Sequence, residues 1–405
     1  MTLTPYQPHL DWIASQQGAM EGLVAQWANI NSGSYNLAGL RAMRAALAEA
    51  FAPLGGVAEV LPLMPITQID ASGNPVAREM AEALTIRKHT AAPIQILLVG
   101  HMDTVYGPEH SFQTCRRGAG DVLHGPGVAD LKGGLVVMLH ALMALERSPW
   151  AGKIGWQVLL NPDEEIGSIA SDPLLKEAAA GKNFALVYEP ALVDGTLAGA
   201  RKGSGNFTIV VRGRAAHAGR NPEEGRNAIV ALADITQRLF ALGGGRAGLT
   251  INPGKIEGGG ALNVVPDLAI LRFNIRTGAV ADEAWVLGEI QKIIAEIQLD
   301  REVVAELHGH FTRTPKPMSQ QNQAIFDRVL AAAAALRLPI GIKPSGGCCD
   351  GNNLWRHGLA NVDTMGVRGA NIHSENEIVH LNSLTERAQL SALLLMRLGE
   401  DPLAM

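Results

Sequence analysis

The run Leu97-Leu98-Val99-Gly100-His101-Met102-Asp103-Thr104-Val105 decides the fold. The apolar residues from Ile94 to Val99 read as a strand buried on both faces, and Gly100 ends it just before a polar His-x-Asp. Side chains alternate along a strand, so His101 and Asp103 share a face: an imidazole able to ligate a metal beside a carboxylate able to orient it. A hydrogen-bonded core histidine would look the same in isolation, so the surrounding sequence has to separate the two readings.

Downstream, Gly125 to Asp130 is loop, and Leu131, Leu135, Met138, Leu139, Leu142 and Leu145 then recur at helical spacing, which puts Asp130 at a helix start. Ile154 to Leu160 reads as a second strand running into Asn161-Pro162-Asp163-Glu164-Glu165, and Phe184 to Tyr188 as a third running into Glu189-Pro190. This rhythm predicts an α/β sheet with acids gathered at the carboxyl ends of its strands. Upstream, Ala19 to Ala50 is helical with a break near Asn31 to Ser34, and Pro53 to Pro93 holds short strand-like runs such as Ala83 to Ile86. After Gly199 the pattern changes. Phe207 to Val211 reads as strand, Asn227 to Leu239 as helix, Leu262 to Ile275 as a strand pair and Asp282 to Ile297 as helix, together a compact α+β insertion. From about Asn322 a long helix through Ala331 to Ala335 returns the chain to the first body. The expected division is residues 1–198 and 313–405 for one domain, with 199–312 inserted as the other. The triplets Gly243 to Gly245 and Gly258 to Gly260 read as loops, since neither has the lysine and following helix of a phosphate cradle.

Composition narrows the partners. A chain of 405 residues exceeds one ordinary core. With 34 basic against 39 acidic residues and a formal charge of −5, nothing favours a nucleic acid or an anionic membrane, and a small molecule is the expected partner. No unbroken apolar run reaches the ~18 residues of a membrane span. Met1 to Met20 lacks a basic segment followed by an apolar one, so a cytoplasmic protein is expected, a processed periplasmic form remaining the alternative. Cys115, Cys348 and Cys349 form neither a disulfide framework nor a Cys-x-x-Cys pair, so nitrogen and oxygen must hold any metal.

The strand-end set is His101, Asp103, Asp130, Glu164, Glu165 and Glu189. Taken singly, each acid is most simply a solvated loop residue. Bunched at one sheet edge they repel one another unless cations neutralise them, and histidine with carboxylate suits a pair of zinc ions. In these motifs the chain resembles the dizinc exopeptidase and deacylase family of carboxypeptidase G-type glutamate carboxypeptidases, acetylornithine deacetylase, succinyl-diaminopimelate desuccinylase and aminoacylase. The matching stretches are Gly100-His101-Met102-Asp103-Thr104-Val105, Gly127-Val128-Ala129-Asp130-Leu131-Lys132-Gly133-Gly134, Asp163-Glu164-Glu165-Ile166-Gly167, Glu189-Pro190 and Ile372-His373-Ser374-Glu375-Asn376-Glu377. The resemblance spans about Gln17 to Leu398.

The resemblance implies a mixed-sheet catalytic domain with an inserted α+β lid, and two zinc ions, or cobalt or manganese in their place. His101 and Glu189 would hold one ion, Glu165 and His373 the other, with Asp130 bridging and the peptide bond to Leu131 cis. Three carboxylates and one hydroxide would then offset two divalent ions. Glu164 would be the general base for the attacking water, and Asp103 would orient His101. His373, which heads His-x-x-x-Glu, is preferred over His380, which sits in a strand-like run. The insertion resembles a lid through which two copies dimerise. In Gly213-Arg214-Ala215-Ala216-His217-Ala218-Gly219, His217 would stabilise the oxyanion in a partner's site. Asn263 and Arg276 would grip the substrate, the arginine fork fitting a terminal carboxylate, and Arg313 is a further candidate for that contact. Ser345-Gly346-Gly347-Cys348-Cys349-Asp350-Gly351 departs from the family pattern, with Cys349 where a hydroxyl usually stands, so substrate contacts there are expected to differ. The expected activity is cleavage of an amide beside a free carboxylate in a small peptide or N-acyl amino acid. A glutamate carboxypeptidase comes first, an N-acyl amino acid deacylase second, and a non-catalytic amino-acid-binding protein last.

Overall fold

The computed structural model describes residues 3–401. Its centre is a six-stranded sheet in the order Val57–Leu61, Ala83–Lys88, Ile154–Asn161, Ile94–His101, Phe184–Val187, Asn361–Val362. The last four strands run parallel and the first two pair antiparallel, so the sheet is mixed. Ile94–His101 is buried at every position except Gln95, and Ile154–Asn161 is buried throughout, as continuous apolar runs covered on both faces should be. His101 lies opposite Asn161 and Val99 opposite Val187, so these three parallel strands end nearly level. Whatever follows each of them emerges at one edge.

The helices Gly134–Glu146 and Asn382–Glu400 pack against each other in the main core. Val128–Glu146 has the length and apolarity of a membrane span, with a mean hydropathy of 1.6, and counting unbroken apolar runs passed it over because Lys132 and His140 interrupt it. It is 94% buried inside the protein, the position of a helix that is apolar all round and serves as a core element.

A second core lies under an antiparallel sheet in the order Thr250–Gly258, Leu268–Thr277, Gly203–Arg212, Val304–Arg313. Helices Ala228–Leu242 and Val280–Arg301 cover one face, with Leu232, Ile235 and Ile290 meeting Ile209, Leu271 and Phe273. Where the chain enters and leaves this unit, Arg201 and Lys316 bridge each other. The opposite face of the sheet receives a hairpin from the first body, Ile66–Ile69 paired with Pro75–Arg78. Ile69 packs on Val210 and Ile270, Arg272 donates to the Ile69 carbonyl at 2.8 Å, and Arg212 donates to the Gly73 carbonyl at 2.8 Å. The turn needs glycine at Gly73: its φ is +75°, and a Cβ there would stand 2.7 Å from Val210.

One local reading of the sequence is corrected. The expected strand pair over Leu262 to Ile275 is one strand, Leu268–Thr277, whose partner lies earlier at Thr250–Gly258, while Leu262 is a fully exposed loop residue. Pro266 has no N–H for a ladder, which is consistent with this. The helix Gln7–Ser15 and the largely exposed strand Val57–Leu61 were not anticipated, because neither carries a strong apolar period.

Candidate metal centre

His101 ends its strand with the side chain 1% exposed. Its Nδ1 lies 3.1 Å from the Asp103 carbonyl oxygen and 3.3 Å from Asp103 Oδ1. A carbonyl oxygen only accepts, so Nδ1 carries the hydrogen and Nε2 is left as a ligand. Nε2 faces Asp130 Oδ1 at 3.1 Å and Glu189 Oε1 at 3.8 Å. Asp103 does more than orient that ring. Its two oxygens accept from the backbone N–H of Glu164 (3.2 Å) and Glu165 (3.1 Å), and the Ser34 hydroxyl donates to it at 2.8 Å. One buried carboxylate thus ties the first strand end to the acidic turn after the second.

Asp130 sits in the irregular turn Val128–Gly133 before helix Gly134–Glu146, with φ −115° and ψ 87° in place of helical angles. The bond to Leu131 is cis, as the resemblance implied. Asp130 Oδ1 faces His101, and Oδ2 faces His373 Nε2 at 3.2 Å. His373 Nε2 is also 3.0 Å from Glu165 Oε2. Donors at tetrahedral corners around a zinc ion, with bonds of about 2.0–2.1 Å, stand roughly 3.3 Å apart, close to these separations. Two triads have ligand atoms within 4.8 Å of one another: His101 with Asp130 and Glu165, and His101 with Glu164 and Glu189. The first joins residues expected on different ions, as a bridging Asp130 would bring about. His380 lies in the strand Ile378–His380, whereas His373 is the histidine beside the acids.

The electrostatics show a site short of positive charge. Burial, with Asp130 adding to it, pushes Glu165 up to about 8 and raises Glu189 well above the usual carboxylate range. Burial also raises Glu164, against the pull of Arg313. Hydrogen bonds to Asp130 and Glu165 carry His373 up to about 11. Burial alone would lower His101, but Asp103 and Asp130 hold it well above its ordinary value. Among the described residues, Glu189 Oε1 is buried with no hydrogen-bond partner, which is costly unless a cation takes the contact. The nitrogen and oxygen donors therefore fit a pair of divalent ions.

Arg313 departs from the expected substrate contact. It is buried, with Nη2 on Glu164 Oε1 at 2.7 Å and on Ser168 Oγ at 2.9 Å, and Nη1 on Asp350 Oδ1 at 3.0 Å and on Asn353 Oδ1. Those donors are occupied within the protein, so the residue holds Glu164 rather than meeting solvent. Cys349 also turns inward. It caps helix Asp350–Arg356, its sulfur accepting from Gly351 N–H at 3.3 Å, so the thiol keeps a hydroxyl's capping role. Its neighbour Cys348 is the one that meets Arg276, 2.8 Å from Nη1.

His217 and Asn263 lie on exposed loops of the second unit that are joined to each other, with Ala218 N–H donating to the Asn263 carbonyl at 2.9 Å. Among the described residues, no hydrogen bond or ion pair links either side chain to the acids. One site residue went unread in the sequence. The buried Glu377 carboxylate accepts from the N–H groups of Gly127 (3.0 Å), Ala129 (2.9 Å) and Asp130 (3.0 Å), and from the Tyr106 hydroxyl at 3.1 Å. Its place at the end of His-x-x-x-Glu was the available signal.

Peptidase family M20/M25/M40 matches residues 97–397. Among curated proteins, carboxypeptidase G2 of Pseudomonas sp. is 28% identical over 309 residues, covering 75% of this chain and 74% of that protein. Succinyl-diaminopimelate desuccinylase of Maricaulis maris is 30% identical over 325 residues, covering 74% and 80%. Among solved structures, a tripeptidase of Staphylococcus aureus aligns over 95% of this chain and 99% of its own, with a TM-score of 0.76 at 22% identity, a likeness of fold.

Proposed function

The chain belongs to peptidase family M20/M25/M40 and is a hydrolytic, metal-dependent enzyme, and we propose that it cleaves an amide bond next to a free carboxylate with two zinc ions bound. The observation that carries this reading is Asp130, whose two oxygens face two different histidines, His101 and His373. His101, Glu189 and Asp130 would hold one ion, and Asp130, Glu165 and His373 the other. The ions would supply Lewis acidity to the scissile carbonyl and the attacking water.

The chain's own residues do the rest. Water adds across the C–N bond, hydroxyl to the carbonyl carbon and hydrogen to the departing nitrogen. Glu164 takes the water's proton and passes it to that nitrogen. Arg313 fixes one Glu164 oxygen at 2.7 Å and leaves the other to move the proton. Asp103 orients His101 and anchors the turn that presents Glu164. Arg276 and Asn263 grip the substrate, the arginine on its carboxylate, and His217 steadies the oxyanion from a second copy's lid. A homodimer through residues 199–312 is part of this proposal. It is supported by exposed apolar side chains on that unit, including Phe240, Ile256, Leu262 and Leu299. A cytoplasmic setting belongs to it too, supported by three unpaired cysteines.

A carboxypeptidase is the first reading, supported by the likeness to carboxypeptidase G2 over three quarters of the chain. The likeness to the desuccinylase keeps N-acyl amino acid deacylation as the second reading. The test is metal analysis of the purified protein with a hydrolysis screen across dipeptides, folate-like glutamates and N-acyl amino acids. Two zinc equivalents and release of the carboxylate-bearing amino acid are expected. A metal-free protein that cleaves them equally well would overturn the reading.

A further inference from the structure

The face of the lid sheet turned away from its helices carries an ordered set of polar side chains. Counting across the strands, Asn206 lies opposite both Asn274 and His310, and Asn274 lies opposite Asn252, so three carboxamides and an imidazole form one row. Two residues back toward the acids, Ser204 and Thr250 both lie opposite Arg276. Two residues further out, Thr208 lies opposite His308 and Arg272, and Lys255 opposite Arg272. Residues two apart share a strand face, so the three rows look the same way.

The outer two rows line a cleft of about 1230 Å³ that reaches Glu165 at the metal centre. Its facing wall is apolar, from Ile166, Ile169 and Pro173 after the acidic turn and from Met64 and Ile66 at the hairpin. Small-molecule pockets usually span about 300–1,000 Å³, so this cleft is far larger than an acetyl group needs. From Arg276 to the outermost row is about 13 Å along the strands, the reach of roughly four extended residues.

The charge of the cleft narrows what fits. Glu257 already takes both cations of the outer row, Lys255 at 2.7 Å and Arg272 at 2.9 Å, and the Ile69 carbonyl takes another Arg272 nitrogen. No unpaired arginine or lysine is left among the lining residues to receive a second carboxylate. Asn274 is spent inside the sheet: its amide nitrogen donates to Ser204 Oγ at 3.0 Å, the Gly205 carbonyl at 3.1 Å and Asn206 Oδ1 at 2.8 Å, and its oxygen accepts from Arg276 Nε at 3.0 Å. That leaves the Asn206 amide nitrogen as a donor and the Asn252 carboxamide as donor and acceptor, the complement of peptide C=O and N–H. The carboxamide of Asn252 has no hydrogen-bond partner among the described residues and is exposed.

We propose that this cleft is the acyl-side subsite, and that the acyl group it takes is a neutral peptide chain of two or more residues rather than a short or anionic acyl group. The inference rests on the hydrolase reading above and names its substrate class. The test compares N-acetyl, N-succinyl and N-acetyl-triglycyl derivatives of glutamate, leucine and alanine on the zinc-loaded enzyme, reading release of the C-terminal amino acid. We expect kcat/KM for the peptide derivatives to exceed that for the acetyl and succinyl ones by tenfold or more. In Asn252→Ala, with circular dichroism unchanged, the ratio of peptide to acetyl kcat/KM should fall at least fivefold. Acetyl or succinyl derivatives cleaved as fast as the peptides, or a ratio unmoved in Asn252→Ala, would overturn the subsite and leave the amide-hydrolase reading standing. Failure of the zinc-loaded enzyme to cleave any member of the set would overturn both.

Discussion

Glu164 and Glu165 are neighbours in sequence with different surroundings. Glu165 faces His373, and Glu164 is held by Arg313. Replacing the proposed base without touching a proposed ligand should separate chemistry from metal loading. Glu164→Ala is expected to keep two zinc equivalents by elemental analysis while kcat falls about 10²–10⁴-fold, the usual contribution of general acid–base catalysis. Retained turnover would remove Glu164 from the role of base. Glu377 should behave in the opposite way. Its carboxylate is the acceptor for three backbone N–H groups around Asp130, and each buried donor left without a partner costs about 1–3 kcal/mol. Glu377→Ala should therefore lower Tm and weaken zinc retention against a chelator, whereas unchanged retention would show that the Asp130 turn holds its shape unaided. The strand-end residues His101, Glu164, Glu165 and Glu189 were legible in the sequence because each closes or follows a buried strand, Asp130 because it precedes a helix, and His373 only through the family resemblance. The holders were not: Arg313 is 149 residues from Glu164 and Glu377 is 250 from Gly127, separations that no local pattern encodes.

Among the elements, those buried on both faces were the readable ones. Ile94–His101, Ile154–Asn161 and Phe184–Val187 are unbroken apolar runs, whereas Val57–Leu61 and the hairpin Ile66–Ile69 with Pro75–Arg78 expose most of their side chains and carry little signal. The seam where the chain enters and leaves the lid rests on polar contacts. Asp363, fully buried, accepts from Arg201 at 2.8 Å and from Lys316. Burial alone would raise its carboxyl, but Arg201 and Lys316 outweigh it and hold the folded value below the ordinary one. A depressed folded value means stability that is complete above the unfolded pKa, about 3.9, and is lost as pH falls through the folded value. Thermal melts of the native protein should therefore lose Tm below about pH 5, part of that slope coming from Asp363. Asp363→Asn should start lower at neutral pH, because two buried cations lose their partner, and show a shallower acid slope. An equal slope in both proteins would assign the acid sensitivity elsewhere.

At the scale of the molecule, the sheet of the first body presents the acids and the second unit presents His217 and Asn263 on an exposed rim. On the dimer proposal, His217→Ala should slow turnover with zinc content and sedimentation unchanged. A native protein that sediments as a monomer at its assay concentration while fully active would contradict a shared site. By itself the sequence determined the buried strands and the acids that follow them, because burial on both faces and motif spacing are properties of short stretches. The inserted unit and the choice of His373 over His380 were expectations, the latter resting on the family resemblance. Only the tertiary structure decided that Arg313 is spent on Glu164, that Glu377 clamps the Asp130 turn, and that three asparagines from three strands line one cleft. Those relations depend on which distant segments meet across a sheet edge, and strand order and register are settled by packing of the whole chain rather than by any one part of it.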